Sequence, residues 1–210
     1  MKACVIRQAQ ETDADLLAAF WRDRFTETFG SLYPPQDLAA FLSEAYAPQT
    51  ILAEIADPGF THHLAWDEEE HSHRGLVGAL KTGRVGLPLP DRSGLWELHR
   101  LYLHPAAFGT GLADRFMAVA RAQARAAGAT SLVLGVYCDN HRAQRFYARH
   151  GFARIGAYQF PVGLTLDDEW ILRASLGRLR QRRPLLFGAS PPAREKILAA
   201  APFGSASSLA

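Results

Sequence analysis

Cysteine, long apolar runs and a signal peptide are all scarce or missing in this sequence, and each shortage excludes a class of protein. The 210 residues include 2 cysteines, too few for a disulfide framework or a thiolate zinc site. No apolar run reaches the length of a membrane span. The first residues, MKACVIRQAQ, lack the apolar core of a signal peptide. We therefore expect a cytoplasmic protein with no membrane partner.

An excess of one charge is missing as well. The 23 basic and 21 acidic residues give a formal net charge of +2, and the basic side chains form no stripe with interleaved aromatic residues, so we expect no nucleic-acid partner. The one basic cluster, 178-RLRQRR-183, is expected to be solvated. Histidines and acidic residues gather at 67–74, which is typical of a hairpin tip, and we expect a solvated loop and no metal there.

The pattern of apolar residues predicts one domain over 1–176 and a tail rich in Arg, Pro and Ala over 177–210, with one short helix at 191–201. Strands are predicted at 3–7, 61–66, 75–83, 95–104, 131–137, 152–160 and 169–176. Helices are predicted at 13–30, 36–47, 49–57, from the glycine turn to Gly128, and at 141–150. This order indicates an α/β (α+β) fold, a mixed sheet with helices on both faces, and not a doubly wound alternation.

The stretch 95-LWELHRLYLHPAAFGTGLADRFM-117 carries the first chemical signal. A strand, a turn with small residues at alternate positions, and a helix follow one another directly. Such a turn exposes the free N–H groups of a helix start, which bind phosphate. The P-loop is excluded because no Lys-Ser/Thr pair follows Gly111, and Asp114 stands where a dinucleotide fingerprint needs its third glycine. The alternative interpretation is a tight turn that packs a helix on a sheet.

Two motifs resemble those of one family, the GCN5-related N-acetyltransferases. The segment 108-FGTGLA-113 resembles their pyrophosphate loop, Gln/Arg-x-x-Gly-x-Gly/Ala, with Phe108 in place of the usual Gln or Arg. The segment 132-LVLGVYCDNHRAQRFYARHGF-152 resembles their strand–Asn–helix unit that ends in Phe-Tyr-x-x-x-Gly-Phe. The resemblance covers about 3–176. Within the family, 23–46, Glu97-Leu98 and 155–163 look most like the branch that includes PaiA-type polyamine acetyltransferases.

The resemblance implies the fold and the cofactor. The fold would be a mostly antiparallel sheet of about seven strands, splayed between strands 4 and 5, and the co-substrate would be acetyl-CoA with no metal. The resemblance places the cofactor on Leu101, Tyr102, Leu103, Phe108, Gly109, Thr110, Gly111, Leu112, Ala113, Asp114, Asn140, Ala143 and Phe146. Asn140 would bond the pantetheine, although a helix cap alone would explain that residue.

Glu97 and Tyr147 are the catalytic candidates. An alkyl amine has a pKa near 10, so about one molecule in a thousand is neutral at pH 7 and a base is useful. Because Glu97 lies in an apolar stretch of sequence, we expect its pKa to be raised, as suits a base. The alternative is an ion pair with Arg100 or Arg173. Tyr147 matches the family tyrosine that protonates the departing thiolate, and its ring can pack in the core at the same time.

The acceptor pocket is expected to contain Glu27, Tyr33 and Glu44, whose acidic members suit a cationic amine, with exposed helix-surface charge as the alternative. The predicted function is acetyl transfer from acetyl-CoA to a primary amine of a small molecule by direct attack in a ternary complex, with polyamines as candidates. The alternatives are an acyl-CoA-binding or sensing module without catalysis, and acetylation of a protein N-terminus or of an antibiotic or toxin amine. A homodimer is left open.

Overall fold

The computed structural model describes residues 4–67 and 75–177, and its centre is one seven-stranded sheet. The strands are β1 Val5–Gln8, β2 Phe60–Trp66, β3 Leu76–Gly83, β4 Leu95–Leu103, β5 Ser131–Tyr137, β6 Ala153–Val162 and β7 Thr165–Ser175. The helices are α1 Ala14–Phe29, α2 Pro35–Ala45, α3 Pro48–Ala56, α4 Leu112–Ala126 and α5 His141–Arg149.

The sheet has the order β1-β2-β3-β4-β5-β7-β6. Its neighbouring strands are antiparallel except for β4 and β5, which run parallel. That parallel pair is short: Leu95, Trp96 and Glu97 lie opposite Ser131, Leu132 and Val133. Beyond Glu97 the strands part, although β4 continues to Leu103. The predicted splay between strands 4 and 5 is therefore confirmed.

Helices cover both faces of the sheet, as the sequence predicts. In α4, Phe116, Met117 and Ala120 recur at helical spacing and pack against one face, which α5 also covers through Tyr147. On the opposite face, α1, α2 and α3 enclose a second core that includes Trp21. The sheet thus separates two apolar layers, and the gap between β4 and β5 lies between them.

Strand β4 contains a bulge next to the end of the parallel pair. Lys81 lies opposite Arg100 and Thr82 lies opposite Leu98, so His99 is one residue more than β3 can pair. A bulge of this kind bends the strand and changes the face to which the following side chains point. It lies where β4 leaves β5.

The last hairpin is longer than the sequence predicts. Strand β7 begins at Thr165 and not at 169, and β6 extends to Val162, so a tight turn at Gly163 and Leu164 joins them. Polar residues at 167 and 168 are typical of a loop, but Asp167 accepts a hydrogen bond from the Tyr33 hydroxyl on the inner side of the strand. A tertiary contact therefore overrides the local pattern.

Two predicted segments lie outside the described residues, namely most of the hairpin tip at 67–74 and the tail with its short helix. Within the described ranges, no helix combines the length and the apolar character that a membrane crossing requires.

The central position of β5 predicts a large loss of stability when its side chains are truncated. Leu132 is 0% exposed, whereas Leu164 at the hairpin turn is 89% exposed. Leu132→Ala should lower the free energy of unfolding by about 2–5 kcal/mol, because it removes buried methyl groups and leaves a cavity. Leu164→Ala, the same change at the surface, should stay within about 0.5 kcal/mol. Urea unfolding monitored by circular dichroism measures both, and equal losses would contradict the assigned core.

Candidate active site

A cleft of about 800 Å³ opens where β4 and β5 part. The exposed edge of β4 forms one wall, and α5 and the start of α4 form another. The far end is closed by side chains of α1, α2, β6 and β7. Since β4 has no sheet partner on this side beyond Glu97, its backbone there is free to pair with an extended ligand.

The glycine turn forms one end of the cleft. Gly109 and Gly111 have φ of 75° and 82°, and a Cβ at either position would meet no atom within 4 Å. Gly111 immediately precedes α4, and the N–H groups of Gly111, Ala113 and Asp114 find no acceptor in the described part of the chain. Free donors at a helix start, with open space before them, fit a diphosphate. Residues 109–114 therefore suit the group that the resemblance implies.

Two residues of this turn do not line the cleft with their side chains. Leu112 is buried in the core beneath α4. The Thr110 hydroxyl donates to the Ala107 carbonyl oxygen at 2.7 Å, which braces the turn. Their contribution to a ligand would come from the backbone.

Phe108 lies beside Arg142 of α5. The guanidinium carbon of Arg142 is 3.9 Å from the centre of the Phe108 ring, and both side chains line the cleft. Residue 108 itself offers no charge, but Arg142 places a cation beside the free N–H groups. Arg142 could not be identified from the sequence, because its contact with Phe108 joins two segments that are distant in sequence.

The middle of the cleft contains the residues expected to contact a pantetheine chain. The side chains or backbone of Leu101, Tyr102 and Leu103 line it from β4, and those of Ala143 and Phe146 line it from α5.

Asn140 also lines the cleft, at the start of α5. Its Oδ1 accepts a hydrogen bond from the Ala143 N–H at 3.1 Å, so the side chain caps the helix. Of its two expected roles, capping is therefore observed.

Glu97 is buried at the point where the strands part, and both of its oxygens have partners. Oε2 accepts from the N–H groups of Gly86 and Leu87 at 2.7 and 3.1 Å, and Oε1 lies 3.0 Å from His99 Nδ1. The alternative interpretation, an ion pair with Arg100 or Arg173, is not observed, since within the described chain these bind Glu54 and Ser131.

The expected direction of the Glu97 pKa is wrong. Burial raises the pKa of this carboxyl, but the hydrogen bond and charge of His99 and the N–H groups of Gly86 and Leu87 outweigh burial, and the pKa is lowered. The apolar neighbours in sequence point elsewhere, because the side chains of successive residues on a strand alternate between faces. Glu97 is therefore a fixed anion.

Tyr147 combines the two roles that the sequence analysis allows. Its ring packs in the core beneath the sheet, 5.6 Å from the ring of Phe152, and the residue also lines the cleft. Burial, and then the negative charge of Glu169, raise the pKa of its hydroxyl. The hydroxyl thus keeps its proton at neutral pH and can donate it.

Of the three residues expected to line the acceptor pocket, one does. Tyr33 lies at the far end of the cleft. Glu27 is exposed and binds Arg24 at 2.7 Å on the outer side of α1, and Glu44 is exposed on α2. The expectation for Glu27 and Glu44 is wrong, because helical spacing turns both away from the aromatic face of their helices.

Aromatic rings close the far end of the cleft. Phe25 lies 4.7 Å from Phe41 and is stacked on Tyr33 at 6.0 Å, and Phe41 contacts Phe160 at 5.8 Å, all measured between ring centres. These rings come from α1, α2, the segment between them, and β6. They line the far end of the cleft together with polar side chains of β6 and β7.

Two carboxylates of β7, Asp167 and Glu169, supply the negative charge that the sequence analysis assigned to the helices. Asp167 accepts from the Tyr33 hydroxyl and Glu169 accepts from the Tyr158 hydroxyl. Burial raises the pKa of Glu169, the Tyr158 hydrogen bond partly lowers it, and the charges of Asp167 and Glu97 raise it further. Their alternate spacing on one strand is the signal that could have found them.

A buried cluster of charges lies beneath the same end of the cleft. Glu54 of α3 binds Lys81 at 2.6 Å and Arg100 at 2.9 Å. Burial and the charge of Arg100 lower the pKa of Lys81 to about 8, against the opposing effect of Glu54. Among the described residues, no three His, Cys, Asp or Glu side chains come together as a potential metal site.

Comparisons with known proteins agree with this geometry. The model of the Acetyltransferase (GNAT) family matches residues 18–152. An uncharacterized N-acetyltransferase of Lactobacillus delbrueckii subsp. lactis is 30% identical over 178 residues, which are 84% of this chain and 99% of that protein. An uncharacterized N-acetyltransferase of Mycobacterium tuberculosis strain H37Rv is 31% identical over 77% of this chain and 96% of that protein.

A solved structure has the same fold. PaiA N-acetyltransferase from Thermoplasma acidophilum, determined in complex with coenzyme A, superposes with a TM-score of 0.65 at 18% identity, covering 82% of this chain and 99% of that one. The glycine turn and the second motif both fall within the matched region. The chain belongs to the acetyltransferase (GNAT) family, and it is an N-acetyltransferase whose acetyl donor is acetyl-CoA.

Proposed function

We propose that this enzyme acetylates a primary amine of a small molecule, with polyamines as the first acceptors to test. The observation that carries the proposal is the far end of the cleft, which is lined by aromatic rings together with the carboxylates of Asp167 and Glu169. Rings attract an organic cation through their faces, and carboxylates attract it by charge. An ammonium group would therefore be drawn to the point where β4 leaves β5.

The other end of the cleft supports a coenzyme A donor. The N–H groups of 109–114 suit the diphosphate, and Arg142 adds a positive charge beside them. The free edge of β4 suits the pantetheine amides. When bound, acetyl-CoA supplies the thioester that makes the acetyl group transferable.

The middle of the cleft supports direct attack by the amine. Glu97 holds a fixed negative charge beside the reaction site, and Tyr147 keeps a proton on its hydroxyl for the departing thiolate. The aromatic side chains that line the far end of the cleft support a small acceptor, because a largely apolar lining with a few polar groups suits a small molecule.

An acceptor panel tests the function directly. Release of free thiol from acetyl-CoA should depend on added amine, and we expect spermidine, spermine and arylalkylamines such as tyramine to outperform short peptides with a free N-terminus. The same assay without amine is the background. Tight acetyl-CoA binding with no amine-dependent release from any member would support the non-catalytic binding module instead.

The glycine turn makes a further prediction about donor binding. Gly111→Val should weaken acetyl-CoA binding by about 100-fold, or about 3 kcal/mol, because the side chain would fill the space before the free N–H groups and remove two charge-assisted hydrogen bonds. Gly128→Val is the matched control. Gly128 lies at the other end of α4, also has positive φ, and also faces open space, so it reproduces the backbone strain but leaves the cleft intact. Calorimetric titration with acetyl-CoA measures both, and equal affinities would contradict the diphosphate site.

Removing the Tyr147 hydroxyl should slow acetyl transfer without weakening acetyl-CoA binding. Tyr147→Phe should lower kcat by about 10- to 100-fold, less than loss of a base would, since a thiol with a pKa near 8.5 is already a tolerable leaving group. The ring still packs, so the dissociation constant of acetyl-CoA and the melting temperature should change little. An unchanged kcat, measured by thiol release with the best acceptor, would remove Tyr147 from the chemistry.

A further inference from the structure

We infer that Glu169, rather than Glu97, takes the proton from the acceptor amine, and that Tyr158 and Gly135 position it for this role. The inference rests on the proposed function, because it requires an amine acceptor. It concerns a residue that lies on β7, outside both sequence motifs.

The carboxylates of Glu97 and Glu169 differ in the number of hydrogen bonds that they already accept. Three donors occupy Glu97: two backbone N–H groups on Oε2 and His99 on Oε1. Glu169 accepts from Tyr158 on Oε2, and its Oε1 has no hydrogen-bond partner among residues 4–67 and 75–177. A base needs a free lone pair that faces the proton it removes. Oε1 of Glu169 is free of donors from the described residues, whereas each oxygen of Glu97 already accepts at least one hydrogen bond.

Gly135 of β5 leaves space for the carboxylate of Glu169. Gly135 interrupts the apolar strand β5, and its φ is not in the left-handed region, so backbone conformation does not require glycine there. A Cβ at this position would lie 2.5 Å from Glu169 Oε2 and 2.6 Å from the Tyr158 hydroxyl oxygen. The absence of a side chain at Gly135 therefore leaves room for the Tyr158–Glu169 pair, on the part of β5 that has separated from β4.

Glu169 and the proton donor Tyr147 line the same cleft, from β7 and from α5. The negative charge of Glu169 raises the pKa of the Tyr147 hydroxyl. The cleft thus contains both a proton acceptor and a proton donor, which acetyl transfer to an ammonium requires.

The electrostatic surroundings of Glu169 keep it weakly acidic. The titratable groups that act on it or respond to it are Tyr158 of β6, Asp167 of β7, Glu97 and Tyr102 of β4, Tyr147 of α5, and Tyr33 before α2. Burial and the two carboxylates raise the pKa of Glu169, and the Tyr158 hydrogen bond lowers it. Glu97 has a lowered pKa. Two carboxylates whose pKa values are pushed apart commonly divide the roles of proton carrier and fixed charge.

The proton balance of the step closes with these residues and solvent. Glu169 Oε1 removes a proton from the ammonium nitrogen, and the freed lone pair forms the C–N bond with the acetyl carbonyl carbon. The nitrogen of the tetrahedral adduct loses its second proton to solvent, the carbonyl re-forms as the C–S bond breaks, and the departing thiolate takes the proton of the Tyr147 hydroxyl. Glu169 then releases its proton to solvent and the tyrosinate is reprotonated from solvent, so one proton is released for each amide formed.

Kinetic pH profiles of matched variants test the inference. Glu169→Gln should lower kcat/KM by about 10²- to 10⁴-fold and abolish the low-pH limb. Glu97→Gln should cost less than about 10-fold and keep the limb, shifted to lower pH because a negative charge near Glu169 is lost. Asp168→Asn is the matched control, since its side chain lies exposed on the outer side of β7, and its profile should equal that of the wild type.

Tyr158→Phe separates positioning from packing. Removing the hydroxyl deletes the hydrogen bond that lowers the pKa of Glu169, so the low-pH limb should move to higher pH, opposite to its movement in Glu97→Gln. A purely structural role for Tyr158 would lower the rate equally at every pH.

A stability measurement gives a readout that is independent of the acceptor. Because the folded-state pKa of Glu169 is raised above 4.5, its contribution to stability is complete below that pH and is lost as the pH rises through the folded value. The melting temperature of Glu169→Gln relative to wild type should therefore increase from pH 4 to pH 8, roughly the window set by a raised carboxyl pKa. The same difference for Asp168→Asn should remain flat.

The outcomes distinguish failure of the proposed function from failure of the assignment of Glu169 as the base. If the wild type acetylates no amine, the proposed function fails, whereas the stability profile still reports on Glu169. If the wild type is active and Glu169→Gln keeps its low-pH limb while Glu97→Gln loses it, Glu97 is the base and the inference is overturned. A flat stability difference for Glu169→Gln would also overturn it.

Discussion

The separation of β4 from β5 after three paired residues is the constraint on which the site depends. A parallel pair that continued to Leu103 would satisfy the edge of β4 and leave no room for a ligand. Because pairing stops at Glu97, an extended chain can bind at that edge, and the turn at 109–114 lies at one end of the gap. Next to this point, the bulge at His99 shifts the alternation of the β4 side chains by one residue. Leucines before and after the bulge therefore pack in the same core, the one covered by α4 and α5.

Both anionic and cationic side chains line the cleft. Glu97, Asp167 and Glu169 lie toward the acceptor, whereas Lys81 and Arg100 are held by Glu54 of α3. Arg142 is exposed and lies against the Phe108 ring beside the glycine turn. A buried ion needs partners to offset its lost hydration, and the buried Glu97 and Lys81 and the partly buried Arg100 each have at least one. Carboxylates thus predominate at the end of the cleft formed by β7, and a cationic side chain lies beside the glycine turn at the other.

The sequence predicts the parts of the site that are local along the chain. The glycine turn, the Asn140 cap and the Tyr147 position each depend on residues within a few positions of one another. The succession of seven strands along the chain follows from apolar periodicity. Glu169 was missed because its role arises from contact with β5 and β6, and because two aspartates before it are typical of a loop. The pKa direction of Glu97 was missed because the sequence shows neither that His99 contacts its Oε1 nor that the N–H groups of Gly86 and Leu87 reach its Oε2.

The three-residue joint between β4 and β5 also has a consequence for slow motions. Two half-sheets, β1–β4 and β5–β7, are paired through only three residue pairs, and α4 packs across that joint. Side chains of α2 and of the segment before it also contact β6 and β7. Such an arrangement allows each half to behave as a separate cooperative unit in amide hydrogen exchange, with its own opening free energy. A ligand that pairs with β4 and contacts α5 bridges both halves, so substrate occupancy couples two units that the backbone joins only weakly.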